Sequence, residues 1–550
     1  VILVPRLDGD GSIVIPGGFL AAANHDLSVQ ELMDRWLRTR SKIVTRALQS
    51  PGAVVVGSIN RFFSGIKREM ACFGIKSGRS AAWEFSFESG TTRSGWLSQP
   101  FRSLGKSQVD SESSSVLGLR RCSIDELEVP LDVLVNPVAG YLGSCLNCEV
   151  GWQTAAPATG NTFNWNGKEV RQLSWSGHSG RFGCSQKMAL LEGIERRVGA
   201  LQSSGEARIA SANELEGKVI TPEDFPMYPA SFYGRRGAAF DPNEKHEWVR
   251  VTSIVSGELA WIPREYIYYG EKTRYRLWAF ATSSGCATGS SIDEARLFGL
   301  LELIERDAFV ASWYGKIQPQ ILDISDVHEL KDICHRARLL GIKFEVGLIK
   351  SALQIPVVIA TATKQLSMGP VSAVGTACHP TLLGAINGAI KEAWTFVAER
   401  VRAAQRKIER IQELAINPTV VNDIEDHMLL LAGASQEEYK NLCGTGDPIR
   451  PKDLERSVWE IYADHPPEKM LRAVTSALLR EGIDVWSHTQ TSEIERNMRL
   501  ETVMVVAPRL LPVDFGWDLQ RALQAPRLRE LMEVHHGHVI QPRLLPHPFS

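Results

Sequence analysis

Ser283-Ser284-Gly285-Cys286-Ala287-Thr288-Gly289-Ser290-Ser291-Ile292-Asp293-Glu294-Ala295, continuing through Gly299-Leu300-Leu301-Glu302-Leu303-Ile304-Glu305-Arg306-Asp307, is the most informative stretch of this sequence. A Gly-rich turn runs into a long helical pattern. At about 100° per residue, with Glu294 taken as the origin, Glu302 falls at about 80°, Glu305 at about 20° and Arg306 at about 120°. Leu297, Leu300, Leu301, Leu303 and Ile304 take the opposite side. One face is therefore apolar, and the other gathers three carboxylates and a guanidinium.

A second helix, expected over 187–200, repeats the chemistry. Glu192, Glu195 and Arg196 lie within about 100° of one another, opposite Leu190, Leu191 and Ile194. Carboxylates at this density repel unless positive charge sits among them. Mg²⁺ carrying a polyphosphate is one answer, because hard cations take oxygen ligands. Arginine would then meet phosphate through its planar fork. The alternative is a solvated face laced with ion pairs.

Further out, Ile355–Ala360 and Val503–Val506 read as buried strands, with Pro356 at the start of its strand, where no ladder donor is needed. Residues 291–313 and 382–404 read as helices, and 405–470 as a charged, helical, peripheral region. Towards the start, Ser28 and Glu31 form a capping-box pattern ahead of Leu32, Trp36 and Leu37, and Ala53-Val54-Val55-Val56 is strand-like. The polar run Ser107–Ser115 reads as a linker, which sets a domain boundary near residue 126. The fold class is α+β, an α/β-like mixture, with no internal repeat of fixed short period.

At 550 residues the chain exceeds a single core, so two or more packed units are expected. Its 61 basic against 63 acidic residues give no electrostatic reason for a nucleic-acid or anionic-membrane partner. Nine Cys in so long a chain suit reduced thiols and a cytoplasmic setting better than a disulfide framework. No basic segment followed by an apolar one opens the sequence, and no apolar run reaches membrane-spanning length.

The two acidic blocks resemble the YcaO superfamily, whose members carry S-x-x-x-E-x-x-E-R, then S-N-G-x-A-x-G-N-x-x-x-E-A leading into G-L-x-E-x-x-E-R-D. Asn136-Pro137-Val138-Ala139-Gly140 is similar to that family's D-P-x-T-G. Glu425-Asp426-His427-Met428-Leu429-Leu430-Leu431-Ala432 is similar to the D-H-x-x-x-Y-A of its azoline-forming branch. Val503–Pro512 and the final Pro546-His547-Pro548-Phe549-Ser550 resemble that branch's R-V-I-V-P-G-L-x-P strand and P-x-P-x-P ending.

The resemblance covers about 127–550 and implies a YcaO-type catalytic domain there, behind a smaller accessory domain over 1–126 that contacts a partner or leader peptide. It implies that ATP and Mg²⁺ are used, with Glu192, Glu195, Glu294, Glu302 and Glu305 holding ATP-bound Mg²⁺. Arg196, Arg306 and Ser290 would contact the nucleotide, and Pro546, Pro548 and Ser550 would serve catalysis. The implied reaction is ATP-dependent cyclodehydration of Cys, Ser or Thr in a ribosomally made precursor peptide to thiazolines and oxazolines. A separate ThiF-like, leader-binding partner is implied, since 1–126 is too short to supply one; a homo-oligomer stays open. Met188, Ser284, Ser290, Thr395 (after Glu392) and Ser550 depart from the family pattern, with Arg400 the nearest substitute for an absent Arg. These departures keep a catalytically silent scaffold as an alternative, beside thioamide- or amidine-forming chemistry.

Three weaker signals remain. Gly105-Lys106-Ser107 ends like a P-loop, but Pro100 occupies the first Gly position and lacks an N–H. Cys145-Leu146-Asn147-Cys148 would need two more zinc ligands, from Cys122, Cys184 or His535-His536-Gly537-His538. In the loop Ser176–Arg181, where the family has Gly-Lys-Gly, His178 or Arg181 is a candidate phosphate contact; Ser179 has no hydrolase context.

Overall fold

The computed structural model describes residues 12–15, 18–23, 29–40, 81–86, 92–97, 118–148, 157–165, 170–200, 207–270, 275–433 and 437–549. The Ala53–Val56 strand, the Gly105–Ser107 P-loop ending and the Ser107–Ser115 linker lie outside the described residues.

The first four strands, Ser12–Ile15, Gly18–Ala23, Ala81–Ser86 and Thr92–Trp96, form an antiparallel sheet in chain order. The expected first helix is Val29–Arg38. Its Leu32 and Trp36 are buried with Leu20, Ala82 and Leu97, and the same cluster continues past residue 126 into Val138 and Ala139. Asn136 joins the two regions. Its amide donates to Trp96 O at 3.0 Å, and its carbonyl accepts from the N–H groups of Val138 and Ala139.

Beyond lie three sheets. Leu146–Cys148, Ala158–Trp165 and Val170–Gly177 form an antiparallel trio. A seven-stranded sheet has Cys286–Gly289 at one edge, beside Glu501–Val506 and then Trp486–Thr489. The third is a meander of Gln320–Ile321, Ile342–Ile349, Val357–Leu366 and Gly369–Cys378. Val357–Leu366 starts just after Pro356, which spares the ladder a missing donor.

Each sheet carries a long helix. Phe182–Ala200 buries Ala189, Leu190 and Ile194 against Trp175 and Ala158. Leu382–Arg406 buries Ile386, Ala389, Ile390 and Trp394 against Val358, Ala360 and Ala373. Ile292–Tyr314 lies between sheets. Its first half packs on Val503 and Val505, and its second half on Ile349, Val357 and Ile359. Leu297 and Leu300 are fully buried there, each such side chain stabilising the fold by about 2 kcal/mol.

The 405–470 region differs from the expected peripheral helix. His427, Leu429–Ala432, Tyr439 and Leu442 are buried in the main core, and the helices there are short, Ile408–Ile416 and Ile424–Leu429 among them. Its many charged residues point to a periphery, but its apolar run Met428–Ala432 decides its placement.

Candidate functional site

The three long helices begin alike, each entered from a strand through a short turn, and each carries a glutamate ten residues beyond its first residue: Glu192, Glu302 and Glu392. Each of these accepts a backbone N–H from the chain that leads into its helix, near the end of the strand for Ser176 and Thr376 and just before the short strand for Gly285. Ser176 N–H donates to Glu192 at 2.8 Å, Gly285 N–H to Glu302 at 3.1 Å and Thr376 N–H to Glu392 at 2.7 Å. The sequence separations are 16, 17 and 16. Gly285 has φ +89°, and a Cβ there would lie 2.3 Å from Val505 O, so glycine is required for the turn that aims its N–H.

The next carboxylate along each acidic helix reaches the following unit. Glu195 receives a backbone hydrogen bond from Thr288. Glu305 accepts from Cys378 N–H at 3.0 Å and from the Thr376 hydroxyl. Arg196 bridges onward too, donating to Glu192 at 3.1 Å and to Ser283 Oγ at 3.2 Å. Arg306 donates to Glu302 at 3.2 Å, to Glu305 at 2.9 Å and to Thr376 Oγ1 at 3.2 Å.

Five carboxylates thus share two guanidiniums, and three of them, Glu195, Glu305 and Glu392, bind protons more tightly than usual, chiefly because they are buried. Burial pushes the Glu195 carboxyl well above the ordinary range, helped by Glu192 and Glu302 and opposed by Arg196. Burial raises Glu305 as well, against Arg306. Burial, with Glu305 alongside, raises Glu392 to about 8. Buried carboxylates crowded around two arginines leave the cluster short of positive charge when they are ionised.

Ser290 and Glu294 stand apart. Glu294 accepts from Ser290 Oγ at 2.6 Å, from Arg121 N–H at 3.1 Å and from Arg120 at 3.3 Å. The angular reading put Glu294 on the acidic face, but eight residues of helix also separate it from Glu302 by about 12 Å along the axis. Glu195 lies close enough to Glu192 and Glu302, and Glu305 close enough to Glu302, for each to influence the other's titration, whereas Glu294 is engaged by Ser290, Arg120 and Arg121. Glu392, absent from the expected ligand set, lies beside Glu305 and Glu302 as well. It lies on a mostly apolar helix whose other residues gave no acidic face, and only its repeat of the helix position marks it.

Among the described residues no three His, Cys, Asp or Glu side chains close into a ready-made metal cage, around the Cys145–Cys148 pair or elsewhere. Paired carboxylates still suit Mg²⁺, which keeps waters and is shared between one or two carboxylates and phosphate oxygens. The donor set is all oxygen and carries surplus negative charge, so it fits a magnesium-bound polyphosphate.

The remaining expected residues divide. His178 is half-buried, close enough to Glu192 and Lys391 for both to influence its titration, and desolvation lowers its pKa. Arg181 is exposed and pairs with Asp125. Pro546 and Pro548 are buried, and Phe549 lies with its ring 4.0 Å from the Arg306 guanidinium. Ser550 lies outside the described residues. Asp307 faces away from the cleft, accepting from Leu511 N–H at 2.9 Å and pairing with Arg527 at 2.7 and 2.8 Å.

The YcaO cyclodehydratase family model, described as ATP- and Mg²⁺-binding, matches residues 176–511, more than half of the chain. The chain belongs to the YcaO family. Its fold is that of YcaO heterocyclases. A heterocyclase solved in complex with substrate and cofactor superposes with TM-score 0.70 at 17% identity, covering 96% of this chain and 76% of that one. The heterocyclase TruD superposes with TM-score 0.59 at 18% identity, covering 94% and 70%. Among curated relatives, an uncharacterized protein of Mycobacterium tuberculosis strain H37Rv is 26% identical over 144 residues. That match spans 26% of this YcaO chain and 31% of the relative, so the chain spans about a third of the curated relatives it matches. Among the described residues no helix is long and apolar enough to cross a membrane.

Proposed function

We propose that this chain is an ATP-dependent peptide cyclodehydratase that converts Cys, Ser or Thr residues of a ribosomally made precursor peptide into thiazolines or oxazolines. The observation that carries the reading is the surplus of five carboxylates over two arginines in the cleft of a YcaO fold. Glu192, Glu195, Glu302, Glu305 and Glu392 would hold Mg²⁺, which when bound neutralises charge between these carboxylates and the phosphates of ATP. Arg196 and Arg306 orient phosphate oxygens, and the fixed backbone of their helices supplies this without reorganisation.

In the proposed reaction a peptide side chain attacks the preceding backbone carbonyl. The oxyanion takes the γ-phosphoryl group and is expelled as phosphate, leaving a C=N bond in the ring and ADP as the other product. An amide oxygen is a poor leaving group, and its phosphorylation is what the cleft has to organise. Recognition of the peptide belongs to the first 126 residues together with a leader-binding, ThiF-like partner. Because the first sheet shares its apolar cluster with Val138 and Ala139, surface substitutions rather than deletion are the way to probe it.

The test is product mass after incubation of the full chain with MgATP, candidate precursor peptides encoded beside it, and partner proteins from the same locus. Loss of one water per modified residue is expected. Replacement of oxygen by sulfur would assign thioamide formation instead. An unchanged peptide with MgATP bound would make the chain a scaffold.

A further inference from the structure

Leu545, Pro546 and His547 present three successive carbonyls to three different parts of the molecule. Trp313 Nε1 donates to Leu545 O at 2.9 Å, the Tyr439 hydroxyl to Pro546 O at 3.1 Å and His427 Nδ1 to His547 O at 2.5 Å. Pro546 and Pro548 favour the extended polyproline geometry, in which successive carbonyls point outward about 120° apart. Phe549 follows, 5.2 Å from Phe309 and against Arg306.

His427 is the best-anchored of these donors. It is fully buried on the Ile424–Leu429 helix, which Asp423 caps through the Asp426 N–H. Asp426 beside it is fixed by Arg410 and by Asn422 N–H. A carbonyl can only accept, so Nδ1 carries the proton, and Nε2 accepts Gly516 N–H at 2.9 Å. Both ring nitrogens of a neutral imidazole are therefore used. The ring joins the Asp514–Gly516 backbone to the Leu545–Phe549 segment, and His547 Nε2 returns to Asp514 O at 3.0 Å.

We propose that His427 is a positioning residue: its clamp on the His547 carbonyl sets Phe549 against Arg306 and so fixes the guanidinium that faces Glu302 and Glu305. The role of Arg306 in phosphoryl transfer rests on the function proposed above; the clamp itself does not.

The experiment compares full-length His427→Ala, His427→Asn, Phe549→Ala and the double variant His427→Ala/Phe549→Ala. Hydrogen exchange of the His547 and Phe549 amides reads the clamp, and MgATP turnover with the peptide that passes the mass test reads the chemistry. His427→Ala is expected to speed exchange of both amides at least about tenfold, the loss of one buried hydrogen bond. The amides of Val357–Leu366 should be unchanged. The kcat should fall roughly tenfold with little change in KM for MgATP, as for loss of a desolvated cation–π contact. Asn keeps an N–H near the Nδ1 position but not the Nε2 acceptor for Gly516, so His427→Asn should recover most of the exchange protection and kcat lost in His427→Ala. The double variant should be no worse than the worse single variant, because both act through one contact. Unaltered exchange in His427→Ala, losses that multiply in the double variant, or a His427→Asn as impaired as Ala would each overturn the proposal. Should His427→Ala not fold, the Asn variant decides in the same way. If the wild type turns over no MgATP, the proposed function falls while the exchange measurement still decides the clamp.

Discussion

The Ile292–Tyr314 and Leu382–Arg406 helices start from the same strand-and-turn geometry and then diverge at the next turn. The former reads Glu302, Glu305, Arg306; the latter reads Glu392, Thr395, Phe396 at the same positions. Glu305 reaches forward to Cys378 N–H, whereas Thr395 Oγ1 turns back to its own helix, donating to Lys391 O at 2.8 Å. The position that a third forward-reaching carboxylate would meet is two residues beyond Ser176, as Cys378 is two beyond Thr376. His178 occupies it, with Lys391 nearby. In the proposed reading two units would each offer a pair of cation-binding carboxylates, and the third offers Glu392 alone, on a side bordered by an ammonium. The comparison suggests that metal sits toward the first two units and the free phosphate oxygens toward the third.

The largest expected effect breaks the first side. Glu302→Ala or Glu305→Ala should weaken MgATP binding about a hundredfold or more, measured by calorimetry, since even supporting groups of metal sites cost up to about that much. Unchanged affinity in both would remove the metal from these units. Next comes the third side: Lys391→Met should weaken MgATP roughly tenfold, the size of one charge-assisted contact, while leaving the melting temperature in place. A loss equal to that in Glu302→Ala would erase the proposed asymmetry, and no loss would remove Lys391 from the phosphate path.

A smaller effect concerns protons. Glu392 titrates at about 8 in the folded chain, above its ordinary range near 4.5. The folded state then binds the proton more tightly than the unfolded one, so stability is greatest below the unfolded value and declines as pH rises toward 8. Thermal unfolding without Mg²⁺ should show this decline, and Glu392→Gln should flatten it. A slope that survives the substitution would assign it to other groups. The smallest effect is expected at Glu294→Ala, whose carboxylate is committed to Ser290, Arg120 and Arg121. A loss of affinity matching Glu302→Ala would show that the metal–phosphate site runs the length of the helix face.

Much of this was legible in the residues. The acidic faces at Glu192 and Glu302 follow from helical angle, and the strands at 357 and 501 from short apolar runs. Three things were not. Helical angle places Glu294 on the acidic face but says nothing of its partners Ser290, Arg120 and Arg121, two of which come from a segment over 170 residues earlier. The equivalence of Glu392 to Glu192 and Glu302 is carried by N–H groups of the chain leading into each helix at a spacing of 16 or 17, a repeat of geometry rather than of residue type. The burial of Leu429–Ala432, Tyr439 and Leu442 was hidden by the charged residues around them, because average polarity says little about where a short apolar run lodges.

Asp307 has a consequence for how the chain assembles. It sits two residues from Glu305, yet its partners are Leu511 and Arg527, 204 and 220 residues away, and Trp313 on the same helix waits for Leu545, 232 residues away. Contacts of such separation demand closure of very long loops before they return any stability, so they form late. The acidic helix can coil early, but its rotation and depth are set only when the last segments dock. Nucleotide affinity therefore arrives at the end of folding, and a nascent chain still missing those segments stays without a finished site for ATP.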